Sequence, residues 1–544
     1  AKISENLYGG RVAPEEVFVS DGSKCDIGRL QMMFGKDMKT AVQDPSYPVY
    51  VDTSVIMGQT GEMNQELKQY ADIVYMPCNP ANGFFPDLAN TPRADVIYFC
   101  SPNNPTGRVL DIEAFLSFAR DFPDVLCMFD GAYAEFADED PLPRLIASDE
   151  WAQLDQGLKQ RLEAIDCFLA DIYGPQKIVN DGIISKEDLH SSLGWKQQMQ
   201  GLQPSRNRWC HISGLDLIRD GQGTWRVLED NLRCPSGVAY FLENRRVMKQ
   251  LFAELFEDQQ VAPIDAYPSQ LLRTLKELAP WSENPNVVLL TPGMHNSAYF
   301  EHSHLARLMG IQLVEGSDLI CSEDCVWLMS TSGLKKVDVI YRRIDDDFLD
   351  PEAFRPDSML GVRGLMKCFE AGRVAIANAP GTGVADDKLI YTYIPDIVRY
   401  YLGEEAIIPN VETYRCGIPS EREHVLANLQ SLVVKSVSEA GGYGMLIGPT
   451  SSAVERESFR AQIEANPRNF IAQPTLHLST VPSLSEGELY PCHVDLRPYV
   501  LRGSSTWVTP GGLTRVALKR NSLVVNSSQG GGSKDTWIVD LAGN

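Results

Sequence analysis

The pattern of the chain changes near residue 137, and this break constrains the fold more than any other feature of the sequence. Before it, apolar runs of strand length alternate with segments of helical spacing, CDIGRLQMMFG (25–35) and DIEAFLSFARDF (111–122). The runs that we expect to be strands are VFVSDG (17–22), TAVQDP (40–45), DIVYMPC (72–78), DVIYFCSP (95–102) and DVLCMFDG (124–131). This alternation with short loops predicts a parallel α/β sheet, in which binding sites lie at the carboxyl ends of the strands.

Polar and aromatic residues stand at those strand ends and suit an aromatic, phosphorylated cofactor. The segment DGSK (21–24) precedes a predicted helix, whose first N–H groups can hold a phosphate. Tyr47 can stack on an aromatic ring, and Asn104 can donate to a phenolic oxygen. Asp130 can pair with a protonated pyridine nitrogen, which makes the ring a better electron sink.

Residues 1–137 resemble part of the large domain of fold-type I pyridoxal-phosphate aminotransferases, and within them plant-type LL-diaminopimelate aminotransferase. The resemblance implies contacts to pyridoxal phosphate from Ser23, Lys24, Tyr47, Asn104, Asp130 and Tyr133. In that family an SFSK segment follows, and its lysine binds the cofactor covalently. Here Phe136 is followed by ADEDPLPRLIASDEW, without such a lysine. Because covalent catalysis needs that amine, we expect this part to carry no transamination.

Length, charge and cysteine usage set limits on the whole chain. Its 544 residues predict two to four domains, and a net charge of −23 argues against nucleic acid as a partner. No apolar run approaches the roughly 18 residues of a membrane span, and the 12 Cys, without a CxxC pair, predict a reducing, cytoplasmic environment. His295, His302 and His304 form a local group, for which metal binding and ordinary surface or helix-start positions both stay open.

After the break, a long helix is predicted over 151–174 and a hairpin follows it. WCHISGLDLIRD (209–220) and TWRVLEDNLR (224–233) flank Gly221-Gln222-Gly223, a turn signal. Centred near that turn, Asp216 and Glu229 fall almost opposite each other, and Asn231 shares the face of Glu229. Facing carboxylates repel unless a cation joins them, and oxygen ligands of these types suit Mg²⁺. A charged surface hairpin is the alternative.

A strand–loop–strand segment further on predicts a phosphate site. SLVVKSVSEAGGYGMLIG (431–448) carries Lys435 on a strand, followed by a loop with the glycines Gly441, Gly442 and Gly444. A strand lysine can hold phosphates while the N–H groups of a glycine-rich loop cover them. Downstream strands place Gln473 near an adenine edge and Asp495 and Arg497 on one face, and Asn526 precedes a glycine run.

These motifs resemble the ATP-grasp superfamily of carboxylate–amine ligases. Because the magnesium hairpin precedes the lysine and glycine lid, the order resembles the circularly permuted, glutathionylspermidine synthase-like family over about 140–540. We therefore expect an α/β chain in which a partial aminotransferase large domain precedes a permuted ATP-grasp α+β fold. The predicted parts are the aminotransferase-like fragment (1–137), a helical lead-in with the magnesium hairpin (138–285), a small α/β unit (286–385) and the nucleotide-binding lobes (386–544).

The resemblance implies a ligase that acts through an acyl phosphate. Mg²⁺ would lie on Asp216, Glu229 and Asn231, and ATP on Lys435, the glycine lid, Gln473 and Asn526, with small-molecule or peptide carboxylates and amines (or thiols) as substrates. Arg497 would stabilise developing negative charge; a salt bridge with Asp495 is its structural alternative. Two other functions stay open: a pyridoxal-phosphate-dependent LL-diaminopimelate aminotransferase, and a non-catalytic chimera.

Overall fold

The computed structural model describes residues 23–35, 37–64, 66–82, 84–87, 91–101, 103, 125–130, 143–252, 256, 260–437, 444–476, 478–485, 488–517, 525 and 531–540. The chain divides into two compact units, residues 1–140 with 484–488, and residues 141–483 with 489–544. No helix in the described ranges is both long enough and apolar enough to cross a membrane.

The first unit is built on a four-stranded parallel sheet, as the sequence predicts. Its strands are β1 Thr40–Asp44, β2 Met63–Asn64, β3 Gln69–Tyr70, β4 Ile73–Pro77, β5 Val96–Cys100 and β6 Leu126–Asp130, and its helices are α1 Ser23–Gln31 and α2 Val49–Ile56. The sheet order is β4-β1-β5-β6, with β2 and β3 forming a separate antiparallel pair. The predicted strand at 17–22 and the predicted helix at 111–122 lie outside the described residues.

The central strand β5 shows why this sheet is buried on both faces. Successive strand side chains point to opposite faces, and Val96, Tyr98 and Cys100 belong to one apolar cluster. Ile97 and Phe99 belong to another. Near-continuous apolar runs of this kind are typical of parallel strands covered on both sides.

The described residues of the second unit form five sheets. Its strands are β7 Arg144–Ala147, β8 Ile212–Gly214, β9 Asp216–Arg219, β10 Trp225–Glu229, β11 Val287–Leu290, β12 Gln312–Val314, β13 Leu319–Ser322, β14 Cys325–Ser330, β15 Gly333–Val337, β16 Val339–Arg342, β17 Ala375–Ala377, β18 Tyr414–Arg415, β19 Leu432–Ser436, β20 Met445–Ile447, β21 Phe470–Pro474, β22 Thr480–Ser485, β23 Glu488–Arg502, β24 Thr506–Val516, β25 Gly532–Lys534 and β26 Thr536–Val539. The helices are α3 Ser148–Ile172, α4 Lys177–Asn180, α5 Lys186–His190, α6 Val238–Leu251, α7 Tyr267–Lys276, α8 Tyr299–Met309, α9 Asp346–Leu349, α10 Leu365–Glu370, α11 Lys388–Tyr391, α12 Ile394–Leu402, α13 Pro419–Ala427 and α14 Ala453–Ala465.

The long helix α3 matches the helix predicted at 151–174 and anchors the main core. Its apolar side chains recur every three or four residues and are at most 2% exposed; they are Leu154, Leu158, Leu162, Ile165, Leu169 and Ile172. Helix α12 packs against it. A methyl group at Gly157 would lie 2.4 Å from Ile408, so glycine is needed for the close approach of that segment.

Two sheets position the residues of interest. The first has the order β10-β9-β23-β24-β25, so the predicted hairpin joins strands that lie almost 300 residues later in the chain. The second has the order β18-β21-β19-β20, is antiparallel, and has a small apolar core of its own with α13 and α14. A third sheet, β12-β11-β16-β17, is parallel and lies within the predicted 286–385 unit.

Candidate functional site

The hairpin β9–β10 places the two predicted metal-binding carboxylates opposite each other. Its turn is closed by Asp220, whose carboxylate accepts hydrogen bonds from the N–H groups of Gln222 and Thr224 at 3.0 and 2.9 Å. Asp216 pairs with Glu229 across the hairpin, after a bulge between Val227 and Glu229. The register that the sequence predicted for these two residues is confirmed.

Asp216 is completely buried, and two arginines bind its carboxylate. Arg497 donates from Nε to Oδ1 at 2.6 Å and from Nη2 to Oδ2 at 2.8 Å, while Arg515 donates to Oδ2 at 2.6 Å. Burial alone would raise the pKa of Asp216, but the two guanidinium groups outweigh it and hold that pKa well below its usual range. Asp216 is therefore a charged carboxylate at neutral pH.

The two arginines bind different aspartates, and Asp495 is bound by Arg515. Arg515 lies directly opposite Asp495 in the β23–β24 pair and binds it through Nε at 2.9 Å. Arg497 makes its salt bridge with Asp216 and donates its remaining contact to the carbonyl of Ser236 at 3.1 Å. The salt bridge between Arg497 and Asp495 considered from the sequence is therefore replaced by a crossed arrangement of two arginines and two aspartates.

Lysines from two other segments lie at the same place. Lys388, the first residue of α11, lies 3.5 Å from Glu229 Oε2. Lys435 on β19 is partly buried, and its pKa is lowered to about 8, mainly by burial; Glu229 and Asp216 oppose this shift and Lys388 adds to it. Lys435 thus lies within electrostatic reach of both hairpin carboxylates, as a phosphate-binding lysine beside a metal site would.

The other residues that were predicted to bind ATP lie in other segments of the chain. Gly444 is exposed with a φ of +62°, and its carbonyl accepts a hydrogen bond from Ser436 N. Gln473 on β21 is 3% exposed, and its amide donates to Thr413 Oγ1 at 3.0 Å. Gly441, Gly442 and Asn526 lie outside the described residues.

The amide of Asn231 has a feature that suits an oxygen ligand. Its Nδ2 atom is buried and has no hydrogen-bond partner among the described residues. Since the N and O of an amide are interchangeable by rotation, the same position can present Oδ1. A carboxylate has about four lone-pair positions, and the two arginines use three on Asp216. Glu229 and Asn231 therefore have more free ligand capacity than Asp216.

The three predicted histidines have separate environments. His302 is buried, its Nδ1 lies 2.9 Å from Thr291 Oγ1, and burial lowers its pKa to about 3. His304 Nε2 lies 3.3 Å from Glu243, and His295 is exposed. In the described part of the chain, no three His, Cys, Asp or Glu side chains converge as metal ligands; the hairpin set consists of two carboxylates and an amide.

In the first unit, three parallel strands end at the same edge of the sheet, where the sequence predicts contacts to the cofactor. The parallel strands β1, β5 and β6 end at Asp44, Cys100 and Asp130, and Cys100 pairs with Asp130. Tyr47 follows β1 and is half-buried, with its ring edge-on to Tyr50 at 6.1 Å. The backbone of Ser23 and Lys24 begins α1, while Asn104 and Tyr133 lie outside the described residues.

Two site residues were missed from the sequence. Arg515 is the second arginine that binds Asp216, and Lys388 lies in a four-residue helix with no motif around it. The signal for Arg515 was its β-strand position opposite Asp495, which becomes visible only once β23 and β24 are paired.

Comparison with known proteins supports both resemblances. The profile of "Circularly permuted ATP-grasp type 2" matches residues 143–517, and that of "Aminotransferase class I and II" matches residues 7–162. An uncharacterized protein of Synechocystis sp. is 58% identical over 402 residues, covering 74% of this chain and 84% of that protein. A protein of Frankia alni, provisionally named glutamate–cysteine ligase 2-3, is 44% identical, covering 73% of this chain and 46% of its own.

Two solved structures are also similar to parts of the chain. A glutathione synthetase-like effector from Globodera pallida covers 81% of this chain and 100% of its own, with 11% identity and a TM-score of 0.50, a likeness of fold. L,L-Diaminopimelate aminotransferase from Chlamydomonas reinhardtii is 51% identical, covering 25% of this chain and 33% of its own, with a TM-score of 0.24. The chain carries an aminotransferase-like segment and belongs to the circularly permuted ATP-grasp type 2 family.

Proposed function

We propose that this chain is an ATP-dependent ligase that activates a carboxylate as an acyl phosphate and joins it to an amine or a thiol. The observation that carries the proposal is the convergence of Lys388 and Lys435 on the facing carboxylates Asp216 and Glu229. Cations for a triphosphate and oxygen ligands for a metal ion are thereby brought together from three segments of the chain. Family membership and the name of the Frankia relative support the same class of reaction.

Glu229 and Asn231 would hold Mg²⁺, with the remaining lone pair of Asp216 beside them. A metal ion bound there would neutralise negative charge on phosphate oxygens. The oxygen-only donor set and the unpartnered amide of Asn231 fit this ion. Asp216 also has a structural role, since its carboxylate holds Arg497 and Arg515 in place.

The protein's own groups would bind and orient the reactants. Lys435 and Lys388 would neutralise the triphosphate, the loop that contains Gly441, Gly442 and Gly444 would cover it, and Gln473 and Asn526 would contact the nucleotide. A carboxylate oxygen of the substrate forms a bond to the γ-phosphorus while the bond from that phosphorus to the β–γ bridging oxygen breaks, and ADP leaves. The amine or thiol then attacks the acyl carbon, and inorganic phosphate leaves with the bonding electron pair.

Arg497 would stabilise the negative charge that develops during both steps. Its guanidinium uses three of about five N–H donors, two on Asp216 and one on Ser236, which leaves about two for an oxyanion. Because Asp216 fixes the guanidinium plane, these donors are already oriented before substrate binds.

The test is Mg²⁺-dependent release of ADP by the full chain. We expect Glu229→Ala to bind little Mg²⁺·ATP and to lose this release, while Glu405→Ala, which removes an exposed partner of Arg399, behaves as the wild type. Absence of any affinity of the wild-type chain for ATP would overturn the proposal.

For the first unit we propose no covalent pyridoxal-phosphate chemistry, because the sequence lacks the SFSK lysine. The chain is incubated with the cofactor, reduced with borohydride and analysed by mass spectrometry. We expect only scattered, substoichiometric lysine adducts. A saturable adduct of one cofactor per chain on a single lysine would contradict the proposal and favour the aminotransferase alternative.

A further inference from the structure

A small cavity in the second unit lies next to the proposed nucleotide site. It has a volume of about 170 Å³, and its charged lining includes Lys196, Arg233, Asp345, Asp347 and Asp386. We call it the Arg233 cavity. The proposed function uses none of these side chains.

Three segments of the chain each carry a residue of the Arg233 cavity close to a residue of the proposed metal or phosphate site. Arg233 lies two residues after Asn231, and the lining residue Asp387 immediately precedes Lys388. Val437, which also lines the cavity, lies two residues after Lys435. A molecule in this cavity would therefore lie beside the groups proposed to bind metal and phosphates.

The ionic contacts around the cavity leave one carboxylate in excess. Arg233 Nε lies 3.3 Å from Asp345 and 3.7 Å from Asp386, so one guanidinium serves two carboxylates. The other three lining aspartates each have a cation of their own; these pairs are Asp347–Lys196, Asp346–Arg342 and Asp387–Arg468. Among the described residues, five carboxyl groups thus face four cations. Burial raises the pKa of Asp386 to about 7, and an ammonium group beside it would favour its charged form.

Arg233 also has donors to offer to an anion. Within the described part of the chain, its shortest ionic contacts run through Nε, and neither terminal nitrogen makes a hydrogen bond. Its stem lies against Gly383, where a methyl group would be 3.2 Å from Arg233 Cδ. A planar guanidinium with free terminal N–H groups is suited to bind a carboxylate through two parallel hydrogen bonds.

We propose that the Arg233 cavity binds an α-amino acid substrate of the ligase, with its carboxylate on Arg233 and its ammonium group between Asp345 and Asp386. A zwitterion satisfies both observations at once, since the free guanidinium N–H groups meet an anion and the excess carboxylate meets a cation. The inference rests on the proposed function for the identity of the reaction, but the binding itself is measurable without nucleotide.

The experiment is a calorimetric titration of the full chain, without nucleotide, with each of the twenty common L-α-amino acids. Those that bind are tested again as the α-amide, which lacks the carboxylate, and as the N-acetyl derivative, which lacks the ammonium group. The variants are Arg233→Gln and Asp345→Asn, and the control is Arg399→Gln, which alters an exposed arginine paired with Glu405.

We expect at least one amino acid to bind and both derivatives of it to bind more weakly. Arg233→Gln should raise its Kd roughly tenfold or more, because it removes a charged hydrogen-bonding partner. Asp345→Asn should weaken binding of the free amino acid but not of the N-acetyl form, and Arg399→Gln should leave both affinities unchanged.

Two results would overturn the proposal: no amino acid binds to the wild type, or Arg233→Gln binds as tightly as the wild type. Affinity for a non-hydrolysable ATP analogue is measured on the same samples. Nucleotide binding without amino-acid binding rejects the Arg233 cavity alone, whereas absence of nucleotide binding rejects the proposed function.

Discussion

Arg161 binds both carboxylate oxygens of Asp230, with Nε–Oδ1 and Nη2–Oδ2 distances of 2.7 and 2.6 Å, and both side chains are almost completely buried. Asp230 lies between Glu229 and Asn231 in the chain, and alternate residues of an extended segment point to opposite sides. The ion pair therefore holds Asp230 against helix α3. Because Glu229 and Asn231 point to the opposite side of the segment, they are directed towards the proposed metal.

We predict that Asp230→Ala destabilises the second unit by about 3–5 kcal/mol, because it leaves the Arg161 guanidinium buried without its carboxylate. The matched control is Asp155→Ala, which removes a partly exposed partner of Lys159 on the same helix and should cost only about 0.3–0.5 kcal/mol. Urea titrations of both variants give the free energies of unfolding. Equal values for the two would contradict the structural role of the buried pair.

The two hairpin carboxylates should respond differently to neutralisation. We expect Asp216→Asn to lower the free energy of unfolding by about 3–5 kcal/mol, since Arg497 and Arg515 would then share one buried carboxylate. Glu229→Gln, at a partly exposed position, should preserve stability but raise the Mg²⁺ concentration for half-maximal ADP release roughly tenfold or more. Equal losses of stability in both variants would show that Glu229 is structural.

ATP binding should take up a proton at alkaline pH through Lys435. Its pKa of about 8 means that the amine is mostly charged at pH 7 and mostly neutral at pH 9, whereas the bound triphosphate favours the charged form. We expect uptake of about 0.9 proton per ATP at pH 9 and about 0.1 at pH 7. Binding enthalpies measured in two buffers of different ionisation enthalpy give these numbers.

The control for this titration is Lys435→Arg, because an arginine keeps its charge throughout this pH range. The variant should bind ATP without the alkaline proton uptake. Identical uptake in the wild type and the variant would assign the proton to another group.

Gly194→Ala should destabilise the second unit and distort the Arg233 cavity. A methyl group there would lie 2.2 Å from the backbone of Gly383, which is too close for any rearrangement of side chains to relieve. The expected cost is about 1–3 kcal/mol. Gly417→Ala is the control, since its methyl group would make an ordinary 3.8 Å contact. The thermal unfolding midpoints of the two variants test this, and no difference between them would count against the close contact.

The hairpin could be predicted because residues close together in the sequence determine it. A turn at Gly221–Gly223 and a side-chain period of two place Asp216 almost opposite Glu229, and the bulge between Val227 and Glu229 makes the two residues direct partners. The four strands of the parallel sheet in the first unit were equally predictable from their apolar runs. Their order, β4-β1-β5-β6, depends on long-range pairing and could not be read from any one segment.

The arginines that bind the hairpin carboxylate Asp216 could not be predicted from the neighbouring sequence. Arg497 and Asp495 share a face of β23, which made their pairing a reasonable alternative. However, a residue directly opposite on a neighbouring strand lies closer than one two positions along the same strand, so Arg515 binds Asp495. Arg497 is then free for Asp216, 281 residues away in the sequence.

That separation has a consequence for how the protein is made. Asp216 leaves the ribosome long before Arg497 and Arg515, which follow 281 and 299 residues later. Until they arrive, the carboxylate lacks the two guanidinium groups that bind it directly and is expected to remain hydrated. The hairpin is therefore expected to stay protease-sensitive on stalled nascent chains that end before residue 497 and to become protected only when β24 has emerged. Early protection on the shorter chains would refute this order of events.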